Sequence, residues 1–202
     1  MSEASAPRRR AKSMALLGLV LSGGLALIGV TQTWFDLTLT ESMGSAALVV
    51  AGQQAASPIS SLALVGLALT GALAIAGRVF RYILGVLTAL VGAGIAASAL
   101  SALADPILAS ASSVTEHTGI AGHASIGALV DAVTPTPWPF LVVAAGVLLV
   151  LIGLSVLLTA GRWPGGSRRY EQATAHTVDE AETDADPVIS WDNLSRGEDP
   201  TR

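Results

Sequence analysis

Side chains able to do acid–base, nucleophilic or metal chemistry are few in this sequence, and they avoid its apolar stretches. His117 and His123, with Glu116 and Asp131 nearby, form the one grouping that resembles a metal constellation. A separation of six positions suits neither one helix face nor a familiar zinc signature, and no third strong ligand follows at fixed spacing. These histidines read as solvated loop residues, although groups of this kind also serve as pH sensors. The other acids of the same regions, Asp36, Glu41 and Asp105, are scattered over two loops, whereas acid–base or metal-assisted catalysis needs titratable groups that converge. Cysteine is absent, which removes thiolate ligands, cysteine nucleophiles and disulfides. The expectation is a protein that is not an enzyme, with no catalytic residue, no cofactor, no metal and no nucleic-acid partner.

A second group of residues offers binding rather than catalysis. Ile189, Trp191, Asp192 and Leu194 sit at the far end of the acidic segment 161–202, whose concentrated charge and few apolar residues predict a disordered tail. An indole with aliphatic neighbours at the end of such a tether reads as a docking peptide, because burying an indole supplies much of a short motif's affinity. The bland alternative is a tail with no specific role. The docking reading expects a protein partner, cytoplasmic or membrane-bound.

The elements that must position these groups follow from composition. At 51% hydrophobic and 13% charged, with a mean hydropathy of +0.62, the chain is too apolar for an ordinary soluble domain. Its apolar residues are gathered into four blocks, 14–33, 59–77, 82–103 and 140–160, none of which contains Asp, Glu, Lys, Arg or His. About 20 helical residues span a bilayer core, so each block predicts a transmembrane helix and the lipid bilayer is the first expected partner. Arg8, Arg9, Arg10 and Lys12 precede the first block, Arg78 and Arg81 lie in the short turn 78–81, and Arg162, Arg168 and Arg169 follow the fourth. Residues 34–58 and 104–139 carry no Lys or Arg. Because flanking basic residues stay on the cytoplasmic side, the expected topology is a multi-pass protein of the cell membrane with both termini cytoplasmic: the basic tail 1–13 and the acidic tail 161–202 inside, both longer loops outside. The first block is longer than a signal-peptide core and lacks a good cleavage site, so retention is expected. Trp34 and Trp138 at the outer boundary, and Trp163 and Tyr82 at the inner one, read as interfacial anchors.

Small residues at four-residue spacing let helices pack closely in lipid. In the third block Ala89, Ala93, Ala97 and Ser101 make one stripe and Gly92 with Ala96 another, which predicts a bundle with that helix near its centre. The same stripes suit a partner helix or a homo-oligomer equally well. In the loop 34–58, alternation after Trp34 followed by a Gly/Ser cluster and an aliphatic run predicts a β-hairpin. An isolated hairpin is marginal and must lean on the second loop or the bundle. In the loop 104–139, Asp105 and Pro106 predict a helix over 106–114 with Asp105 as N-cap. A second helical piece is expected over 124–133, before prolines reset the chain. The fold class expected is an all-α integral membrane protein: a four-transmembrane-helix bundle with a small extracytoplasmic β-hairpin and loop cap and a disordered cytoplasmic C-terminal tail.

With these residues in view, the chain resembles the actinobacterial tryptophan-biosynthesis-associated (tryptophan operon) membrane protein family. The resemblance rests on the basic start and first span, the "TW" step, "GQQ" before the second span, "TPTPWP" before the fourth, and the closing "WDNLSRGEDPT", the most specific of them. It implies four spans and a link to tryptophan synthesis, and carries over no catalytic residue. Two functions are therefore expected as alternatives. One is a non-enzymatic anchor, scaffold or accessory subunit whose tail recruits a soluble partner. The other is an oligomeric transporter of a small metabolite such as tryptophan or a precursor, although the blocks offer it only hydroxyls such as Ser22, Thr70 and Thr88 where coupled transport usually holds ionisable groups.

Overall fold

In lipid every backbone polar group must find its partner within the protein, so an apolar block of bilayer length can cross only as a helix. In the computed structural model, which describes residues 6–40 and 47–159, all four blocks are helical. They are α1 (Ala6–Thr31), α3 (Pro58–Ile75), α4 (Arg78–Ala104) and α7 (Trp138–Thr159), and each is long and apolar enough to cross a membrane. Between α1 and α3 lie β1 (Thr33–Leu39), β2 (Ala47–Ala51) and the single turn α2 (Gly52–Ala55). Between α4 and α7 lie α5 (Pro106–Thr118), α6 (His123–Leu129) and β3 (Val130–Pro135). Because successive spans run in opposite directions, these elements form a cap at one end of the bundle, while the α3–α4 turn and the end of α7 lie at the other.

The bundle is a ring, not a hub. Helix α1 packs on α3 and α7, and α4 packs on the same two, with α4 against α7 the most extensive contact. This corrects the expectation that the third span is central. Of the two small-residue stripes, Gly92 with Ala96 is buried and the longer one largely is not. Ala93, Ala97 and Ser101 are exposed, and Ala89 is half-buried. With Gly92 and Ala96, the buried face of α4 includes Gly85, Ile95 and Ala99. Gly92 and Ala96 meet Gly146 of α7, while Gly85 and Ala89 meet Gly153. A Cβ built on Gly92 would lie 2.6 Å from the Gly146 carbonyl oxygen, and one on Gly153 would lie 2.7 Å from the Ala89 nitrogen. The two helices therefore touch backbone to backbone at two points. Seven residues separate these points on each helix, close to two turns, so they share a face. Outward, Leu17, Leu21, Leu64, Leu90, Leu151 and Leu158 are exposed, as an apolar solvent allows.

At the end opposite the cap, Arg81 is 4% exposed. Its guanidinium Nε–H donates to the Ala76 carbonyl at 3.0 Å, satisfying one of the acceptors left open at the end of α3.

The cap contains a three-stranded sheet in the order β2–β1–β3, antiparallel throughout, with Leu37 opposite Leu48 on one side and Val133 on the other. The hairpin is thus completed by the second loop. Where a helix was expected over 124–133, the helix ends at Leu129 and residues from Val130 form the third strand. Val130, Val133 and Thr134 are β-branched and favour extended backbone, and β1 offers them an unpaired edge. Helix α5 begins as expected: the Asp105 side chain accepts from the Leu108 N–H at 2.9 Å. It ends at Gly119, whose φ of +70° is the left-handed conformation of a helix stop.

Candidate functional site

Three of the short motifs meet at the junction of cap and bundle. Trp34 is fully buried. Its Nε1–H donates to the Gly29 carbonyl of α1 at 2.9 Å, and its ring meets Phe35 edge-on with centroids 6.5 Å apart. The indole lies so close to the Gly52 backbone that a Cβ there would stand 2.5 Å from Nε1. Gly52 N–H donates in turn to the Gln32 carbonyl at 3.0 Å. Thr136 completes the junction: its N–H donates to the Trp34 carbonyl at 2.9 Å and its hydroxyl to the Thr33 carbonyl at 2.6 Å. "TW", "GQQ" and "TPTPWP" are therefore one structural clasp. The expected role of Trp34 as an interfacial anchor is corrected: its N–H and its ring are satisfied inside the protein, where no headgroup reaches. Trp138 is half-buried at the start of α7, and Tyr82 is 43% exposed in the second turn of α4.

Beside the clasp lies a groove of about 270 Å³ between α2, the end of α4 and the start of α5. Gln54, Ser101, Asp105 and Ser112 supply its polar lining, and Ala102, Leu108 and Ala109 much of its apolar wall. Gln54 is exposed and its Oε1 accepts from the Ala51 N–H at 3.2 Å, a bond that does not use the amide NH₂. The Ser101 hydroxyl donates to the Ser98 carbonyl at 2.8 Å, leaving its oxygen lone pairs. Asp105 approaches His123 Nε2 at 3.1 Å through its second carboxylate oxygen. The Leu108 N–H, with the His123 hydrogen bond and charge adding to it, holds the Asp105 carboxyl below the ordinary carboxylate range.

His123 thus pairs with Asp105, a partner the sequence reading did not assign to it. His117 and Glu116 are exposed near the end of α5, and Asp131 is exposed on β3. Among the described residues, no three His, Asp or Glu side chains come together as a metal cage would require. Gly52 and Gly85 were also missed as packing residues. The docking residues Ile189, Trp191, Asp192 and Leu194, and the anchor Trp163, lie outside the described residues.

Four apolar helices of bilayer length, closed at one end by a small folded cap, define a multi-pass integral membrane protein. The chain belongs to the family of tryptophan-associated transmembrane proteins, whose description matches residues 16–201. No curated protein and no solved structure matches it.

Proposed function

We infer that this protein is a non-enzymatic membrane anchor, acting as a scaffold or accessory subunit of a tryptophan-associated system in the cell membrane. On this reading the cap is extracytoplasmic and both termini are cytoplasmic, because Lys and Arg flank only the end of the bundle that carries the termini. The tail residues around Trp191 recruit the partner.

The observation that carries the reading is how the bundle satisfies its own polar groups. Among the described residues the buried hydroxyls of the bundle are Ser22, Thr70 and Thr88, and each donates to a carbonyl one turn back in its own helix, at 2.7, 3.1 and 2.8 Å. Around them the interior is filled by Leu19, Leu73, Ile95 and Leu149 and closed by the backbone contact of α4 on α7. Such an interior suits a rigid support better than a substrate path, which needs polar groups free to bind and release.

The test is affinity capture from native membranes with the full chain and with residues 188–202 deleted, read by mass spectrometry, alongside labelled tryptophan uptake and efflux in a strain lacking the protein. The expected result is a partner lost on deletion and unaltered flux. An identical set of partners overturns recruitment by the tail, and a flux defect rescued by the full chain overturns the anchor in favour of a carrier.

A further inference from the structure

The groove between α2, α4 and α5 sits where an apolar span ends. Ser101 and Ala102 belong to the last turn of α4; Leu108 in the groove lining and Leu100, next to Ser101 in the chain, are 61% and 53% exposed. The end of such a span is the level at which the hydrocarbon of a bilayer gives way to headgroups, and the groove there sets polar groups beside apolar ones. Its one charged lining residue is Asp105, whose side chain is 43% exposed.

The carboxylate accepts from the Leu108 N–H, is approached by His123 and has the Ile107 N–H acting on it more weakly, and a carboxylate accepts in about four directions. Asp105 with this remaining capacity, Ser101 and Ser112 all line the groove. These groups call for a donor with several N–H bonds and a positive charge. Gln54 Nε2 adds a donor at the same rim, suited to an oxygen a few bonds away from that charge. An anionic head is disfavoured, because residues 34–58 and 104–139, which build the cap, contain no Lys or Arg. A quaternary ammonium is disfavoured as well, having no N–H to give. The start of α5 would itself attract an anion, but Asp105 already answers that end as its N-cap.

We propose that this groove is a binding site for a primary ammonium group carried beside a hydrogen-bond-accepting oxygen, with Asp105 holding the ammonium and Gln54 the oxygen. The ethanolamine head of a zwitterionic lipid has this chemistry, and so does a small free amine. The placement at the end of α4 favours the lipid.

The experiment uses the full chain in bilayer discs of phosphatidylethanolamine, phosphatidylcholine and phosphatidylglycerol in equal parts, released for native mass spectrometry, with and without an excess of free ethanolamine. The wild type is expected to retain phosphatidylethanolamine several-fold over the other two lipids. Asp105→Asn keeps an acceptor for the Leu108 N–H and is expected to abolish the preference without unfolding the cap. Ser112→Leu, which fills the groove from an exposed position, is expected to do the same. Displacement by free ethanolamine assigns the ammonium to a soluble source, and its failure to displace assigns it to the lipid. Equal retention of the three lipids by the wild type, or a preference unchanged in Asp105→Asn, overturns the site.

Discussion

Replacing Gly92 with Ala tests the contact on which the bundle depends. The new Cβ would stand 2.6 Å from the Gly146 carbonyl oxygen, 2.7 Å from Leu149 Cβ and 2.7 Å from the Val150 nitrogen. Two of these atoms are backbone, so no rotamer change relieves them. Non-bonded carbon contacts settle near 3.5 Å or beyond, so α4 and α7 must separate by about 0.8 Å at this point. Overpacking of this kind costs about 1–3 kcal/mol, and the better helix propensity of Ala returns up to about 1 kcal/mol. The net expectation is a loss of about 1–2 kcal/mol. Gly24→Ala in α1 and Gly71→Ala in α3 are the controls, since a Cβ at either position meets nothing within 4 Å. They gain the propensity without the clash and are expected to be neutral or mildly stabilising. Unfolding of the purified protein in mixed micelles, titrated with a denaturing detergent, separates these outcomes. Gly146→Ala clashes at the same point, and the double variant is expected to lose less than the two singles together, because the first separation admits the second methyl group. If Gly92→Ala unfolds at the same midpoint as Gly71→Ala, the backbone contact of α4 on α7 does not hold the bundle together.

Four other outcomes follow from the same reasoning. Gly52→Ala drives a methyl group into the Trp34 indole and toward the Val30 carbonyl, so a loss of about 1–3 kcal/mol is expected, with a changed emission from Trp34 in a background whose other tryptophans are replaced by Phe. The hydroxyls of Ser110 and Ser113 are buried without a hydrogen-bond partner among the described residues; Ser110→Ala and Ser113→Ala are each expected to raise stability by about 1 kcal/mol, and a loss in both refutes the assignment. The Asp105 carboxyl is held below its ordinary pKa in the folded protein, chiefly by the Leu108 N–H. Its contribution is therefore present above the ordinary carboxylate value and disappears as pH falls through the lowered one; acid titration of the cap's stability should show this component in the wild type and not in Asp105→Asn. For the orientation, the cysteine-free background makes single substitutions clean: Ala121→Cys is expected to react with an impermeant maleimide in intact cells and Gly77→Cys only after lysis, and the reverse pattern inverts the proposed topology.

How much of this was legible depended on whether the signal was local. The four spans are read from runs of apolar residues alone, because lipid forces any such run into a helix. The start of α5 is equally local, since Asp105 and Pro106 carry the N-cap and the first helical position side by side. Which small-residue stripe of α4 faces the bundle, Gly92 with Ala96 or the longer one, was not legible for the opposite reason. Ala and Gly are so frequent between Gly85 and Ala104 that several small-residue stripes compete, and only the partner helix selects among them. The selecting signal is the matched seven-residue spacing of Gly85 and Gly92 with Gly146 and Gly153, a comparison between helices rather than within one. Strand β3 fails the local test too: its burial does not alternate, and it is extended because β1 needs a second neighbour. The pairing of His123 with Asp105 is likewise set by how α6 folds back along α5.

Trp34 shows why the motifs and the fold are one question. Read alone, a tryptophan at the end of an apolar run belongs among headgroups, because an indole is amphipathic and the interface is cheap. Here its N–H goes to Gly29 and its ring to Gly52, while Thr136 donates to the carbonyls of Thr33 and Trp34, one on either side of the tryptophan. These partners come from the end of α1, the entry to α3 and the entry to α7. Trp34 thus ties the sheet to the ends of three spans, and through Gly52 it packs on the helix α2 that carries Gln54 of the groove. The clasp therefore serves the groove, and variants at Gly52 or Thr136 should disturb ligand retention there without touching any lining side chain.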